Sequence, residues 1–570
     1  LFKSSLFAAI VFSAATASAS SSPQPCPRPA EGSVVAEPPS LESSHGVLDT
    51  QLTFHNVPDS DGQQRFCYVA ENGAEAPTLR LKPGDQFILH LRNGLTAPEH
   101  MPAPQLAMSP SHAHAHSDID ACTAGAMTPL STNLHFHGLT VPAVCHQDDV
   151  LHTSVNPGDS DFEYRFRIPS DEAPGLYWYH PHIHGYSNVQ VQGGASGAIV
   201  VEGIEQAYPQ LAGLAERIFI IRDQPLVHPD AEPVPSGNIP APVVQRDSEG
   251  DILNTGTGSG KPSSDLSINF VPVSYPAYRP AVIAVKPMQR QLWRVMNASA
   301  ITYVDLQILV SNVPQPFGVV SLDGVPINEN GMAAGRILWE EHVLLPPAGR
   351  VEFLFKGIPA RAHASFITRS VDTGPAGEND PIRPLATILA SDEADDPSHH
   401  LAASPAPLSP LPQVWLANVK PVHTRTLYFS EHPANPADPN SPIIFMITVD
   451  GQTARPYDPS DSAPDIVAHQ GDVEDWIIEN RTRELHAFHI HQIHFLMLAW
   501  NGVPVDEPFL RDTVNVPYWD GKSTTYPSVR LRMDFRDPNT IGVFPYHCHL
   551  LEHEDGGMMG IIRVLPRIDP

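Results

Sequence analysis

The fold class this sequence predicts is all-β, three consecutive Greek-key sandwich domains, and three observations predict it. After residue 45 the chain runs in short alternating or β-branched segments separated by Pro, Gly, Asp and Asn, with no sustained helical period. A turn followed by an alternating strand that ends at Asn occurs three times: LKPGDQFILHLRN at 81–93, VKPMQRQLWRVMN at 285–297 and AHQGDVEDWIIEN at 468–480. A strand that arrives at histidines occurs twice, as GLYWYHPH at 175–182 and GVFPYHCH at 542–549. At 570 residues the chain is too long for one core and suits several domains.

The segments follow in order. Residues 1–19 combine a lysine, an apolar run from Leu6 to Phe12 and a small-residue end at Ala17-Ser18-Ala19. They read as a secretory signal peptide, so an exported product, secreted or periplasmic, is expected. The apolar run is too short to cross a bilayer and no later segment is long enough, so membrane insertion is not expected. Residues 20–45, rich in Ser, Pro, Glu and Ala, read as a flexible leader. The first sandwich is expected at 46–204 and the second at 205–385. The second keeps the strand unit and LLPPAGRVEFLF at 344–355 but lacks clustered histidines, and so reads as a spacer. A Pro/Asp/Ala-rich linker at 386–410 leads to the third sandwich at 411–570.

Charge narrows the partners. The 63 acidic side chains against 34 basic ones give a formal net charge of −29, which repels nucleic acid and anionic lipid. Of five cysteines, Cys26, Cys67, Cys122 and Cys145 suit two disulfides in an exported protein, with the pairing left open. Cys548 lies between two histidines and reads as unpaired.

Four histidine clusters carry the chemistry: HFH at 135–137, HPH at 180–182, HAFHIH at 486–491 and HCHLLEH at 547–553. Side chains at i and i+2 of a strand share a face. His135 and His137, His180 and His182, His489 and His491, and His547 and His549 can therefore each aim two imidazoles in one direction, enough in total for several metal ions. Imidazole alone does not choose among copper, zinc, iron and nickel. Cys548 has the opposite parity, as does His486 relative to His489 and His491. His553 follows closely, and Gly556-Gly557 allow the tight return of Met558. Two imidazoles, a thiolate and a thioether are the ligands of a blue electron-transfer copper. Zinc prefers four ligands per ion and has no redox use for a cysteine bonded to two cluster histidines.

HFHG at 135–138, YWYHPH at 177–182, HAFHIH at 486–491 and HCHLLEHEDGGM at 547–558 resemble the four copper-binding segments of the multicopper oxidase family, in its three-domain laccase-like form. The resemblance covers nearly all of the chain after the leader and implies cupredoxin-like sandwiches and four copper ions. It implies that His486, Cys548, His553 and Met558 hold a type 1 copper and His135 and His489 a type 2 copper. His137, His180, His182, His491, His547 and His549 would hold a type 3 pair. Pro181 stands where many relatives have serine and Ala487 where proline is common, and neither removes a ligand. The acids that relatives use for proton supply have their nearest candidates in Asp148 or Asp149 and in Glu554. His494 reads as a core or supporting residue, and SHAHAHSD at 111–118 as a solvent-exposed loop.

The implied reaction is one-electron oxidation of a small donor at the type 1 copper. Electrons then pass through Cys548 and its neighbours His547 and His549, and dioxygen is reduced to water. An axial methionine lowers the potential and points to easily oxidised phenols and aromatic amines. Cu(I) or Fe(II) as donor is the alternative and requires an acidic patch near His486. A copper binder without catalysis is a further alternative. The exposed edge of His486 or His553 is the expected point of electron access, with Asp512 as a possible acceptor of a phenolic proton or a structural acid. A monomer is expected.

Overall fold

The computed structural model describes residues 26–59, 62–97, 121–123, 127–232, 245–246, 252–253, 260–327, 336–392, 415–438, 441–507 and 509–567. The expected signal peptide at 1–19, the loop histidines at 112–116 and most of the expected linker lie outside the described residues.

Among the described residues, six large sheets enclose three cores. The first core lies between a sheet containing Val47–Pro58, Gln64–Ala70, Gln86–Asn93 and Phe162–Arg167 and a sheet that ends on Gly175–His180 and His135–His137. The second core is filled by Phe219, Trp293 and Phe353 from one sheet and Leu306, Phe366 and Ile388 from the other. The third repeats the first: Trp476 and Leu531 from one sheet meet Phe488, Tyr546 and Ile562 from a sheet containing Gly542–Cys548 and His486–Ile490.

The threefold echo marks one position in each sandwich. Strands Gln86–Asn93, Gln291–Asn297 and Val473–Asn480 each pair in parallel with an earlier strand, Val47–Pro58, Ala215–Gln224 and His423–Pro433 respectively. The terminal asparagines are buried and do the same work. Asn93, Asn297 and Asn480 each accept a hydrogen bond from the backbone N–H two residues on, at Leu95, Ser299 and Thr482. Their amide nitrogens each donate to two carbonyls: Leu130 and Val155, Thr302 and Leu345, and Glu484 and Val516. An amide side chain that can both donate and accept is what closes the loop after the strand.

The twofold echo also has a steric cause. Tyr179 and Tyr546, one residue before His180 and His547, lie opposite Gly197 and Gly560 on the adjacent strands. Each tyrosine ring covers its glycine so closely that a Cβ there would overlap it.

Three expectations are corrected. The leader is fixed from Cys26 onward: Cys26 is bonded to Cys67, Arg28 pairs with Glu75, and Ser40–Glu42 forms a parallel strand with Thr78–Leu81. Val35 is buried in the second core and Glu37 pairs with Arg217, so this segment ties the first two sandwiches together. Its Pro-rich composition matches extended chain as well as disorder, and a disulfide and cross-sandwich contacts supply the order. The second sandwich does not stop at 385, because strand Arg383–Ala390 runs through that point and pairs with Ala281–Val285. Nor is that sandwich a spacer alone, since its Arg350 reaches the histidine cluster, as described below.

Candidate metal centre

Two buried groups of ligand-bearing side chains lie at the ends of the histidine strands. Alternation along Gly542–Cys548 separates them: Cys548 faces the third core with Met558, while its neighbours face the interface with the first sandwich.

On the core side, Cys548 Sγ is 3.5 Å from His486 Nδ1 and 3.8 Å from His553 Nδ1, and the two Nδ1 atoms are 3.2 Å apart. A point equidistant from all three lies about 2 Å from each, a metal–imidazole bond length. Each ring is oriented from behind. His486 Nε2 is 2.9 Å from Thr482 Oγ1, with Phe429 tilted against the ring, and His553 Nε2 is 3.4 Å from Glu484 Oε1 with Phe445 stacked on its face. Met558 is fully buried in the same core, and its carbonyl accepts the Cys548 N–H at 3.1 Å. Burial pushes the Cys548 thiol up and holds His553 down at about 3, so the imidazole is neutral and free to ligate.

On the other side, the eight remaining histidines converge. His135 pairs across the sheet with His180, and His489 with His547. The two sets stack on each other, with ring centroids 3.8 Å apart for His135 and His491 and 4.0 Å for His137 and His489. Ligand atoms of His135, His137 and His180, of His135, His489 and His491, and of His182, His491 and His547 form groups within 4.8 Å of one another. Burial, then mutual repulsion, lowers the pKa of these rings, with His180 held at about 3, so they are neutral ligands at ordinary pH.

The outward nitrogens are fixed and the inward ones left over. His135 Nδ1 meets Asp148 at 3.0 Å, His180 Nδ1 meets Pro181 O at 2.9 Å, His489 Nδ1 meets Asp512 O at 2.8 Å and His547 Nδ1 meets Cys548 O at 3.0 Å. His137 is held by the opposite nitrogen, Nε2, at 3.2 Å from Asp512 Oδ1. The complementary atoms, Nε2 of His135, His180, His182 and His489 and Nδ1 of His137 and His491, are buried without a hydrogen-bond partner among the described residues, as are both nitrogens of His549. Buried polar atoms are rarely left so. A cluster of orphaned ring nitrogens, with His135, His137, His180 and His489 each backed by an acceptor on the far side, fits bound metal ions.

The predicted acids are placed as follows. Asp148 is buried, accepts from Phe136 N and from Gln492 Nε2, and holds His135, while Asp149 instead meets the half-exposed His152. Glu554 is buried with Oε1 3.6 Å from His182 Nε2 and Oε2 3.4 Å from His547 Nδ1, and Ser187 Oγ donates to it. His494 is a supporting residue, with Nε2 3.0 Å from Asp323 O. Asp512 is the structural acid, completely buried and ion-paired with Arg350, so it meets no donor from solvent. The expected exposed edge of His486 is absent, because Thr482 closes over Nε2 and leaves the residue fully buried; His553 keeps the small remaining exposure, 6%. Thr482, Glu484, Gln492 and Arg350 were not legible as site residues. Gln492, directly after HIH, is the one whose position in the sequence could have marked it.

Comparison with known proteins agrees with this geometry. Two family models, both described as multicopper oxidase, match residues 124–206 and 436–567, the stretches that carry the histidines. A laccase from Haloferax volcanii is 24% identical over 558 residues, covering 94% of this chain and 84% of the relative. A laccase from Bacillus subtilis is 21% identical, covering 85% and 87%. The structure of a multicopper oxidase from Campylobacter jejuni, described as a metallo-oxidase, matches with a TM-score of 0.64 at 23% identity over 95% of this chain and 96% of that one. With cupredoxin-like sandwiches and two clustered ligand sets in place, the chain belongs to the multicopper oxidase family, copper oxidoreductases that use dioxygen.

Proposed function

We propose that the chain is a laccase-like oxidase with four copper ions, taking electrons singly from a small donor beside His553 and delivering four to dioxygen. His486, Cys548 and His553 with Met558 would hold the type 1 ion, His135 and His489 the type 2 ion, and His137, His180, His182, His491, His547 and His549 the type 3 pair. When bound, copper supplies one-electron acceptance at the first group and reduction of dioxygen to water at the second. The observation that carries the reading is covalent: Cys548 is bonded through the backbone to His547 and His549, so a few bonds join the two groups. The chain excludes water from that route, since all three residues are fully buried. Asp148 and Glu554 stand beside His135 and His547 as the acids able to hold protons for the product water. Two disulfides, Cys26–Cys67 and Cys122–Cys145, support an exported location, and the presence of every ligand in one chain supports a monomer.

Two donor classes remain, each with an observation behind it. Phenols and aromatic amines fit a small donor meeting the His553 edge, where Phe445 already stacks, and are the class the relatives' name laccase suggests. A reduced cation, Cu(I) or Fe(II), fits the charge. Glu484 touches His553 and is raised well above the ordinary carboxylate range by burial and by Glu431, with Glu378 and Glu552 adding repulsion. A bound cation would relieve this crowding.

Oxygen uptake by the copper-loaded protein decides between them. Turnover with 2,6-dimethoxyphenol is expected for the first class, and turnover with Fe(II) or Cu(I) for the second, with Glu431→Gln raising the KM for the cation far more than for the phenol. Blue protein that consumes no oxygen with any of these donors overturns the oxidase reading.

A further inference from the structure

We infer that the second sandwich helps to build the eight-histidine site, with Arg350 acting as a positioning residue for His137 and His489 through Asp512. Arg350 opens strand Arg350–Phe355 and is completely buried. All five of its N–H groups are used. Nε donates to Leu176 O at 3.3 Å, in the first sandwich. Nη1 donates to Ala348 O at 3.0 Å and Nη2 to Asp323 O at 2.9 Å, both in the second. The remaining two form a fork on Asp512 of the third, at 2.8 and 2.6 Å. One guanidinium thus joins all three sandwiches, in the planar geometry that lysine cannot copy.

Asp512 faces the cluster with both its carboxylate and its backbone. Oδ1 accepts from Thr513 Oγ1 at 2.9 Å and lies 3.2 Å from His137 Nε2, while the carbonyl lies 2.8 Å from His489 Nδ1. The first contact places the His137 proton on Nε2 and leaves Nδ1 facing inward; the second leaves His489 Nε2 facing inward. Those two atoms are among the orphaned ones. The Asp512 carboxylate is held by the Arg350 fork and the Thr513 hydroxyl, with His494 Nε2 3.6 Å from Oδ2; losing the fork removes its two shortest contacts and loosens the hold on His137.

Gly138 shows that the fold makes room for this pair. It has φ +88°, and a Cβ there would fall 2.6 Å from Arg350 Nη2 and 2.7 Å from Asp512 Oδ2. The glycine that ends HFHG is required both by backbone conformation and by the ion pair beneath it.

The inference rests on the copper reading above, and the test separates the two. Wild type, Arg350→Lys and the charge-neutral double variant Arg350→Met with Asp512→Asn are titrated with copper. Copper content, the thiolate absorption of the Cys548 site and the electron paramagnetic resonance of the non-blue copper are recorded. Arg350→Lys keeps the charge and the double variant removes both charges, so at least one avoids an unpaired buried ion. In a variant whose circular dichroism matches wild type, the thiolate absorption is expected to persist. The eight-histidine site is expected to lose affinity by about 10- to 100-fold, with an altered resonance signal, as when the partner of a ligating imidazole is removed. Unchanged content and signal in a folded variant overturn the inference, as does failure of both variants to fold at any copper concentration, which would make Arg350 a fold residue alone. A wild type that takes up no copper at the eight histidines overturns the copper reading itself.

Discussion

Two buried carboxylates, Asp512 and Glu172, have opposite fates: a guanidinium forks onto the first, and among the described residues no cation stands against the second. Asp512, facing Arg350, is held below its ordinary value despite complete burial. Glu172 is buried with Thr140 N and the Tyr177 hydroxyl as the hydrogen-bond partners of its side chain among the described residues, and burial raises it to about 8. The native state therefore keeps a proton on Glu172 at pH values where the unfolded chain, with a group near 4.5, has released it. Folding is favoured most below the unfolded value, and that contribution is lost as pH rises through about 8. Glu172→Gln keeps an acceptor for Thr140 N and, with the Tyr177 hydroxyl donating to Ala173 O, places an amide N–H beside the tyrosine oxygen without titrating. Its unfolding midpoint is expected to match wild type near pH 5 and exceed it at pH 8, by at most about 4 kcal/mol in stability. Parallel midpoint curves for the two proteins over this range would show that Glu172 is already ionised.

Among the elements, the strand ending at Asn shows what sequence patterning can and cannot reveal. The repeat was legible because the amide is needed for local bonds, to a neighbour two residues on and to loop carbonyls, so its spacing from the strand is fixed. The His-x-His pairs were legible for the same reason, since a shared face follows from alternation alone. Arg350 was not, because its partner Asp512 lies 162 residues away and no periodicity links them. Nor was the ordered leader, whose partners Cys67, Val282 and Arg217 all lie outside it. Asn297 tests the local rule free of copper chemistry, being far along the chain from every proposed ligand. Asn297→Ala leaves Ser299 N and the Thr302 and Leu345 carbonyls without their buried partner. At about 1 kcal/mol or more per buried group left unsatisfied, a loss of roughly 2–4 kcal/mol is expected. Differential scanning calorimetry should show the second sandwich melting about 5–10 °C lower. A shift under a degree would mean that water replaces the amide.

At the scale of the whole molecule, the proposed copper sites act on different parts of the fold. The Cys548 group lies wholly in the third sandwich, whereas the eight-histidine group draws His135, His137, His180 and His182 from the first and His489, His491, His547 and His549 from the third. Protein contacts already bridge the same interface: Asp555 accepts from Gly185, Ser187 and Asn188, and Gln492 donates to Asp148. Copper held only by the native arrangement adds to that bridge by mass action, about 2.7 kcal/mol at a free concentration one hundred times the dissociation constant. Removing copper with a chelator should therefore lower the melting of the first and third sandwiches together and separate them in a calorimetric scan. Cys548→Ser, which removes only the first group, should leave their shared copper response in place. If copper instead raised only the third sandwich, and Cys548→Ser abolished that rise, the eight imidazoles would not be acting as a bridge. The burial of so many unpaired nitrogens at the interface would then need another cause.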